Sequence, residues 1–313
     1  MTKIRPTRRA LLGAFVSGAL ATGALGAATP AQADCFSIFG LGNGNGCTSN
    51  LSTYAIAIGD SAVASATGLF GGSLAIGDNA RAEMAPLGLS SFNFATAIGN
   101  NAYAQGYVSL FGIALQLGPG TAATLGVGDI AVGVYEGAGQ QAAVSGIGGI
   151  ALQLGPGSSN NIGVFNIAMG VGGGTATGGL SNLALNLLGK SLTTAAGTLN
   201  AAVNVLGNDN VVSAGGVDVS AVLNLAIGAF GRGNTVSAGP GPLAFAGSIL
   251  QTNATVKKIG PGFNINGLAV PGVASVPRRA AKAAAPAAAT VQHAAARAVS
   301  APAAARGSRN ANR

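Results

Sequence analysis

Between Tyr54 and Gly106 the chain carries one phrase three times. It reads Ala57-Ile58-Gly59-Asp60-Ser61-Ala62-Val63-Ala64, then Ala75-Ile76-Gly77-Asp78-Asn79-Ala80-Arg81-Ala82, then Ala97-Ile98-Gly99-Asn100-Asn101-Ala102-Tyr103-Ala104. Looser copies continue to about residue 250. Aligned on the central alanine of each apolar-Ala-apolar run, the series is Ala57, Ala75, Ala97, Ala114, Ala131, Ala151, Ala168, Ala184, Ala202, Ala226 and Ala244, with steps of 16 to 24 residues and most near 18. One segment recurs unchanged: Ile113 to Gly120 repeats as Ile150 to Gly157. A single run of about five residues cannot bury its own apolar side, but stacked copies can bury it against one another.

Each run alternates with period two, the mark of a strand. Ile56 and Ile58 alternate with Ala55 and Ala57, and Ile113, Leu115 and Leu117 with Ala114 and Gln116. The expectation is that the large aliphatics fill an interior while Ala, Gln and Asn face outward. The runs end in Gly or Gly-Pro-Gly, which turns strands and breaks helices, so a helical bundle is excluded. The predicted fold is all-β, a parallel β-solenoid of about ten or eleven coils over residues 54–270. Asn166, Asn182, Asn200 and Asn224 each stand two residues before the aligned alanine, and are expected to stack as a ladder of amide hydrogen bonds.

Composition fits such a fold better than a disordered chain. Glycine supplies 52 residues and charged residues only 8% of the chain, yet 49% is hydrophobic; disorder is marked by the reverse, low hydrophobicity with high charge. The net charge of +8 is carried by the two ends. Four cations lie in the first nine residues and seven after residue 277, while the stretch between holds five basic and all eight acidic residues.

Residues 1–33 read as a signal peptide: a basic start, an apolar stretch from Ala10 to Ala28, and Ala31-Gln32-Ala33 as a small-x-small cleavage site. Thr7-Arg8-Arg9-Ala10-Leu11-Leu12 resembles a twin-arginine export signal, and the general secretory route stays open. The expected location is extracellular or in the cell wall. Residues 34–53 hold the two cysteines, Cys35 and Cys47, either side of Gly-Asn-Gly-Asn-Gly. In an exported chain an isolated pair reads as a disulfide, here closing an N-terminal cap. Residues 271–313 are Ala, Pro and Arg with nothing to form a core, so a disordered basic tail is expected. Its cations are Arg278, Arg279, Lys282, Arg297, Arg306, Arg309 and Arg313. Their expected partner is a cell-wall or host polysaccharide or other anionic polymer. A solvated spacer is the plainer reading; a homo-oligomer is a further option, and nucleic acid is not expected.

Residues 54–106, about a sixth of the chain, resemble the head repeats of trimeric autotransporter adhesins through Ala-Ile-Gly-Asp/Asn-x-Ala-x-Ala in all three copies. The resemblance implies a β-roll and a role in binding host surfaces. The Gly- and Ala-rich body is also similar in composition to secreted proteins of mycobacteria.

An enzyme is not expected. Polysaccharide-cleaving β-helices need converging carboxylates, and this chain is poor in acids. Asp60 and Asp78 share one place in successive copies, but Asn100 fills it in the third, as at a turn that tolerates either residue. A calcium site there, built with neighbouring Asn side chains, is the minor alternative. No cofactor or metal is expected, and the only histidine, His293, lies in the tail. The function expected is that of an exported structural or adhesin-like surface protein presenting a flat repeat face. A carbohydrate-active enzyme and a self-assembling wall component are the alternatives.

Overall fold

The computed structural model describes residues 34–270 apart from Asn43, 85–89, 136–138 and 217–219. The expected signal peptide, the seven tail cations, Glu136 and Asp218 lie outside the described residues. Within them there is no helix, and the chain forms twenty-four strands. Among the described residues no helix is long and apolar enough to cross a membrane.

The protein is a β-solenoid of about twelve turns, each contributing one strand to each of two parallel sheets. The first sheet contains Thr53–Ile58, Leu69–Ile76, Ser91–Ile98, Ile113–Leu117, Ile130–Val134 and their successors to Gly262–Ile265, paired in parallel from coil to coil. The second runs from Cys47–Ser49 to Thr255–Lys258. Ile150–Val164 and Ile167–Leu180 are single long strands that turn the corner and serve both sheets, pairing with each other along nearly their whole length.

Two registers differ from the sequence alignment. Ala97 pairs with Gln116, and Ala114 with Ala95; Ala226 pairs with Ala246 rather than Ala244. Both slips are of two residues, the one kind of slip that keeps every side chain on its own face.

The facing of the strands is the reverse of that expected. The alanines point inward: Ala57, Ala75, Ala131, Ala151, Ala168, Ala184, Ala202 and Ala226 are all 0% exposed, and buried alanines make up most of both core clusters. The intervening Ile, Leu and Val residues point out. Period two fixes alternation but not which set lies inside. The interior is the gap between two sheets of one thin coil, and every coil must fill it with nearly the same volume. The column Ala55, Ser73, Ala95, Ala114, Ala131, Ala151 does so. Gln116, Gln153, Asn186 and Asn204 also lie inside. Where a glutamine enters, the next coil supplies glycine: a Cβ on Gly133 would lie 2.1 Å from Gln116 Oε1, and one on Gly170 2.3 Å from Gln153 Oε1.

Both ends of the first sheet are covered. Cys35–Ile38 lies antiparallel on Thr53–Ile58, and Leu268–Val270 antiparallel on Gly262–Ile265. Cys35 and Cys47 form a disulfide with Cα atoms 5.6 Å apart, joining the first strand of one sheet to the first strand of the other.

Candidate functional site

The outer side of the first sheet is the feature that sets this surface apart. Three outward columns run along it. One contains Ile58, Ile76, Ile98, Leu117, Val134 and Leu154, and continues through Val171, Leu187, Val205, Ala229 and Ile249 without a polar residue. The middle column, from Ile56 and Leu74 through Leu152 and Leu185, has Thr96 as its one polar member. The third contains Phe94, Ile113, Ile130, Ile150, Ile167 and Leu183. No charged residue stands in any of them. Ile58 is 47% and Ile113 43% exposed.

The corners extend this surface. Phe70 and Phe92, second residues of their first-sheet strands, and Phe111 and Phe165, two residues before theirs, stand at this corner, and Leu199, Leu223 and Leu243 take the same place in later coils; all have positive φ and exposed side chains. The rings of Phe70, Phe92 and Phe111 stack on one another, centroids 5.2 and 5.1 Å apart. At the other edge, in the C-terminal coils, Leu188, Leu206, Phe230 and Leu250 are likewise exposed at positive φ.

The second sheet is different. One outer column runs Arg81, Tyr103, Thr121, Gln141 and Ser158, then Gly174, Leu192 and Val211, then Thr235 and Thr255, while Val127, Ile147 and Leu180 are exposed at one end of its strands. Glu83 pairs with Arg81 at 2.6 Å and accepts from Tyr103 Oη at 3.1 Å. Burial and the adjacent Glu83 carboxylate push the Tyr103 phenol upward.

Asn166, Asn182, Asn200 and Asn224 lie at the corner leading into the first sheet, fully enclosed. Each side-chain oxygen accepts the backbone N–H of the next member: Asn182 N to Asn166 Oδ1 at 2.7 Å, Asn200 N to Asn182 Oδ1 at 2.9 Å, Asn224 N to Asn200 Oδ1 at 2.8 Å. The amide nitrogens donate to carbonyls, Asn182 Nδ2 to Gly178 and Gly197 both at 2.8 Å. The ladder is a structural spine, hidden from any ligand. A second one joins Asn210, Asn234 and Ala254. Asp129 takes the asparagine place in an earlier coil. Its Oδ1 accepts from Gly149 N at 2.9 Å, as Asn166 Oδ1 does from Asn182, while Oδ2 is buried without a hydrogen-bond partner. Burial pushes its carboxyl up from the usual range, against the lowering effect of the Gly149 and Gly146 amides.

Asp60 and Asp78 stand one coil apart at an exposed turn. The Asp78 carboxylate accepts Asp60 N at 3.4 Å, and Asn100 Oδ1 accepts Asp78 N at 3.2 Å. Among the described residues no three His, Cys, Asp or Glu side chains group as metal ligands.

The aliphatic surface itself was missed by the sequence reading. The signal for it is present. Compared across copies, the alanine column scarcely varies in size, whereas the middle outer column takes Ile, Leu, Thr, Met and Val. A tight interior enforces constant volume; a surface does not.

The fold is that of a β-solenoid repeat protein. Comparison with protein-family models, with curated proteins and with solved structures found no match.

Proposed function

We propose that this is an exported, non-enzymatic protein of the bacterial surface or cell wall, acting as a structural or adhesin-like element that presents one long face of its solenoid. The observation that carries the reading is the uncharged, nearly continuous apolar outer side of the first sheet. Twelve rungs about 4.8 Å apart and five residues of about 3.3 Å give it a footprint of about 50 by 17 Å. That is about 850 Å², beyond the few hundred Å² of contiguous apolar surface usual on a monomer, and such patches mark interaction sites. The second sheet carries a mixed outer side, with Arg81, Tyr103, Thr121, Gln141 and Ser158 in one column of its N-terminal coils, suited to face water or glycan there. The non-enzymatic reading is supported by the acids: Asp78 caps a turn amide and Asp129 is buried in a hydrogen-bonded spine. The basic tail, Arg278 to Arg313, would hold the protein to an anionic polymer.

Fractionation of a bacterial host producing the full chain, beside a version ending at residue 277, tests this reading. The full chain is expected in the wall fraction with its N-terminus at Asp34, and the shortened one in the medium. Recovery of the intact, unprocessed chain from the cytoplasm would overturn export. A shortened chain that stays on the wall would overturn the role of the tail.

A further inference from the structure

Resting on the reading of the chain as a face-presenting structural protein, we infer that the partner seated on the first-sheet face is a second copy of this chain, apposed side to side along the solenoid. The face is large enough. About 850 Å² per partner matches the roughly 800 Å² that each side of a standard specific interface contributes. Its chemistry is that of an interface core: Ile58, Ile98, Leu117, Leu154 and Leu187 in one column, no charge, and one threonine in the next column. Such groups have nothing to offer water, and their burial is the main favourable term in association.

The geometry selects the occupant. The face is a ruled surface, with columns repeating at the rung spacing over about 50 Å and twisting with the sheet. A partner that packs along all of it must match that spacing and that twist. Another copy does so by construction, and a two-fold arrangement then places ridge against groove on both sides. At the ends of the first sheet short antiparallel strands lie over the last parallel ones, which blunts end-to-end strand addition there, the usual hazard of an open sheet edge, and leaves the broad face as the larger surface for association.

Size exclusion with light scattering, on the chain as recovered from the producing cell, is the test. Wild type is expected at two or more times the monomer mass. The triple variant Leu115→Lys, Leu152→Lys, Leu185→Lys places three charges in alternate coils of the middle column. It is expected to fall to the monomer mass with an unchanged β-type circular dichroism spectrum. The second-sheet control Thr121→Lys, Ser158→Lys, Thr235→Lys is expected to keep the wild-type mass. Should the lysine variant misfold, the triple Leu115→Ser, Leu152→Ser, Leu185→Ser is read in its place. A wild-type monomer at tens of micromolar would overturn the inference, and so would a folded first-face variant that keeps the oligomer mass. A wild-type monomer that floats with phosphatidylcholine vesicles would give the face to lipid instead of a second copy. A monomer found in the wall fraction ends this inference and leaves the proposed function standing; an oligomer recovered unprocessed from the cytoplasm does the opposite.

Discussion

Leu199 and Leu223 adopt φ of 56° and 57°, a region bulky residues rarely enter. The reason lies one residue on. Each turns the chain so that Asn200 or Asn224 points inward, while its own N–H bonds to the preceding coil, Leu199 N to Leu180 O at 2.9 Å and Leu223 N to Thr198 O at 3.1 Å. The backbone penalty, about 1–2 kcal/mol per residue, is offset by a corner with buried donors and acceptors satisfied. Asp129 is the exception in this spine. A carboxylate has no proton to donate where Asn166 donates to Gly179. The folded state therefore holds the Asp129 proton to a higher pH than the unfolded chain does. The stabilising contribution of the protonated form is full below about pH 3.9, the unfolded value, and is lost as pH rises through the raised folded value. Asp129→Asn is expected to raise stability at pH 7 by about 1–3 kcal/mol, the span associated with an unsatisfied buried polar group, and to make little difference at pH 3. Urea midpoints at the two pH values check this; a gain equal at both would show that the carboxyl does not titrate with folding.

At the scale of the strand, neighbouring positions carry opposite duties. Ala168 faces the gap between the sheets and Met169 faces out. In an ordinary core, truncating a large apolar residue costs about 2–5 kcal/mol. Here the order is inverted. Met169→Ala is expected to change the stability of the isolated chain by less than about 1 kcal/mol, within the range of surface substitutions. Ala168→Leu would wedge the sheets apart and cost about 3 kcal/mol or more, the upper end of overpacking. The comparison belongs in the charged first-face variant, where association does not add to the measurement. Equal costs in guanidinium unfolding would mean the interior has more room than its alanines imply. Close stacking also limits the glycine corners. Gly163 has φ +122°, and a Cβ there would lie 2.1 Å from Gly179 O of the next coil.

A solenoid is stabilised by contacts between neighbouring coils, so its ends matter more than its middle. The Cys35–Cys47 disulfide fixes the N-terminal end, with Cys47 buried at the start of the second sheet. Paired Cys35→Ser and Cys47→Ser substitutions are expected to lower stability by about 3 kcal/mol, the entropic value for a loop of this length. Hydrogen exchange should quicken in Thr53–Ile58 and Val63–Ala66, while Ile150–Val164 stays protected. Uniform loss of protection along the chain would mean that the coils unfold as one unit. The C-terminal end has an antiparallel strand without a cross-link, so its last coils should exchange faster than the central ones.

The solenoid was legible in the sequence because it is written as local repetition: period-two runs, glycine at their ends, a step near 18 residues and asparagines in phase. The disulfide pair was legible because Cys35 and Cys47 are the only cysteines in the sequence and stand close together in it. The sequence-based count of ten or eleven coils fell short of about twelve, since the terminal coils at Cys47–Ser49 and Gly262–Ile265 lack the full phrase. The corner leucines and phenylalanines were not legible, because positive φ there is imposed by hydrogen bonds to the neighbouring coil. Nor was the facing of the strands. Alternation alone is symmetric between inside and outside, and the habit of placing leucine inside chose wrongly. What settled it was the thickness of the coil. Along the column from Ala55 to Ala246 two sheets joined by such tight corners leave room for little more than a methyl group, and that dimension exists only once the coils have stacked.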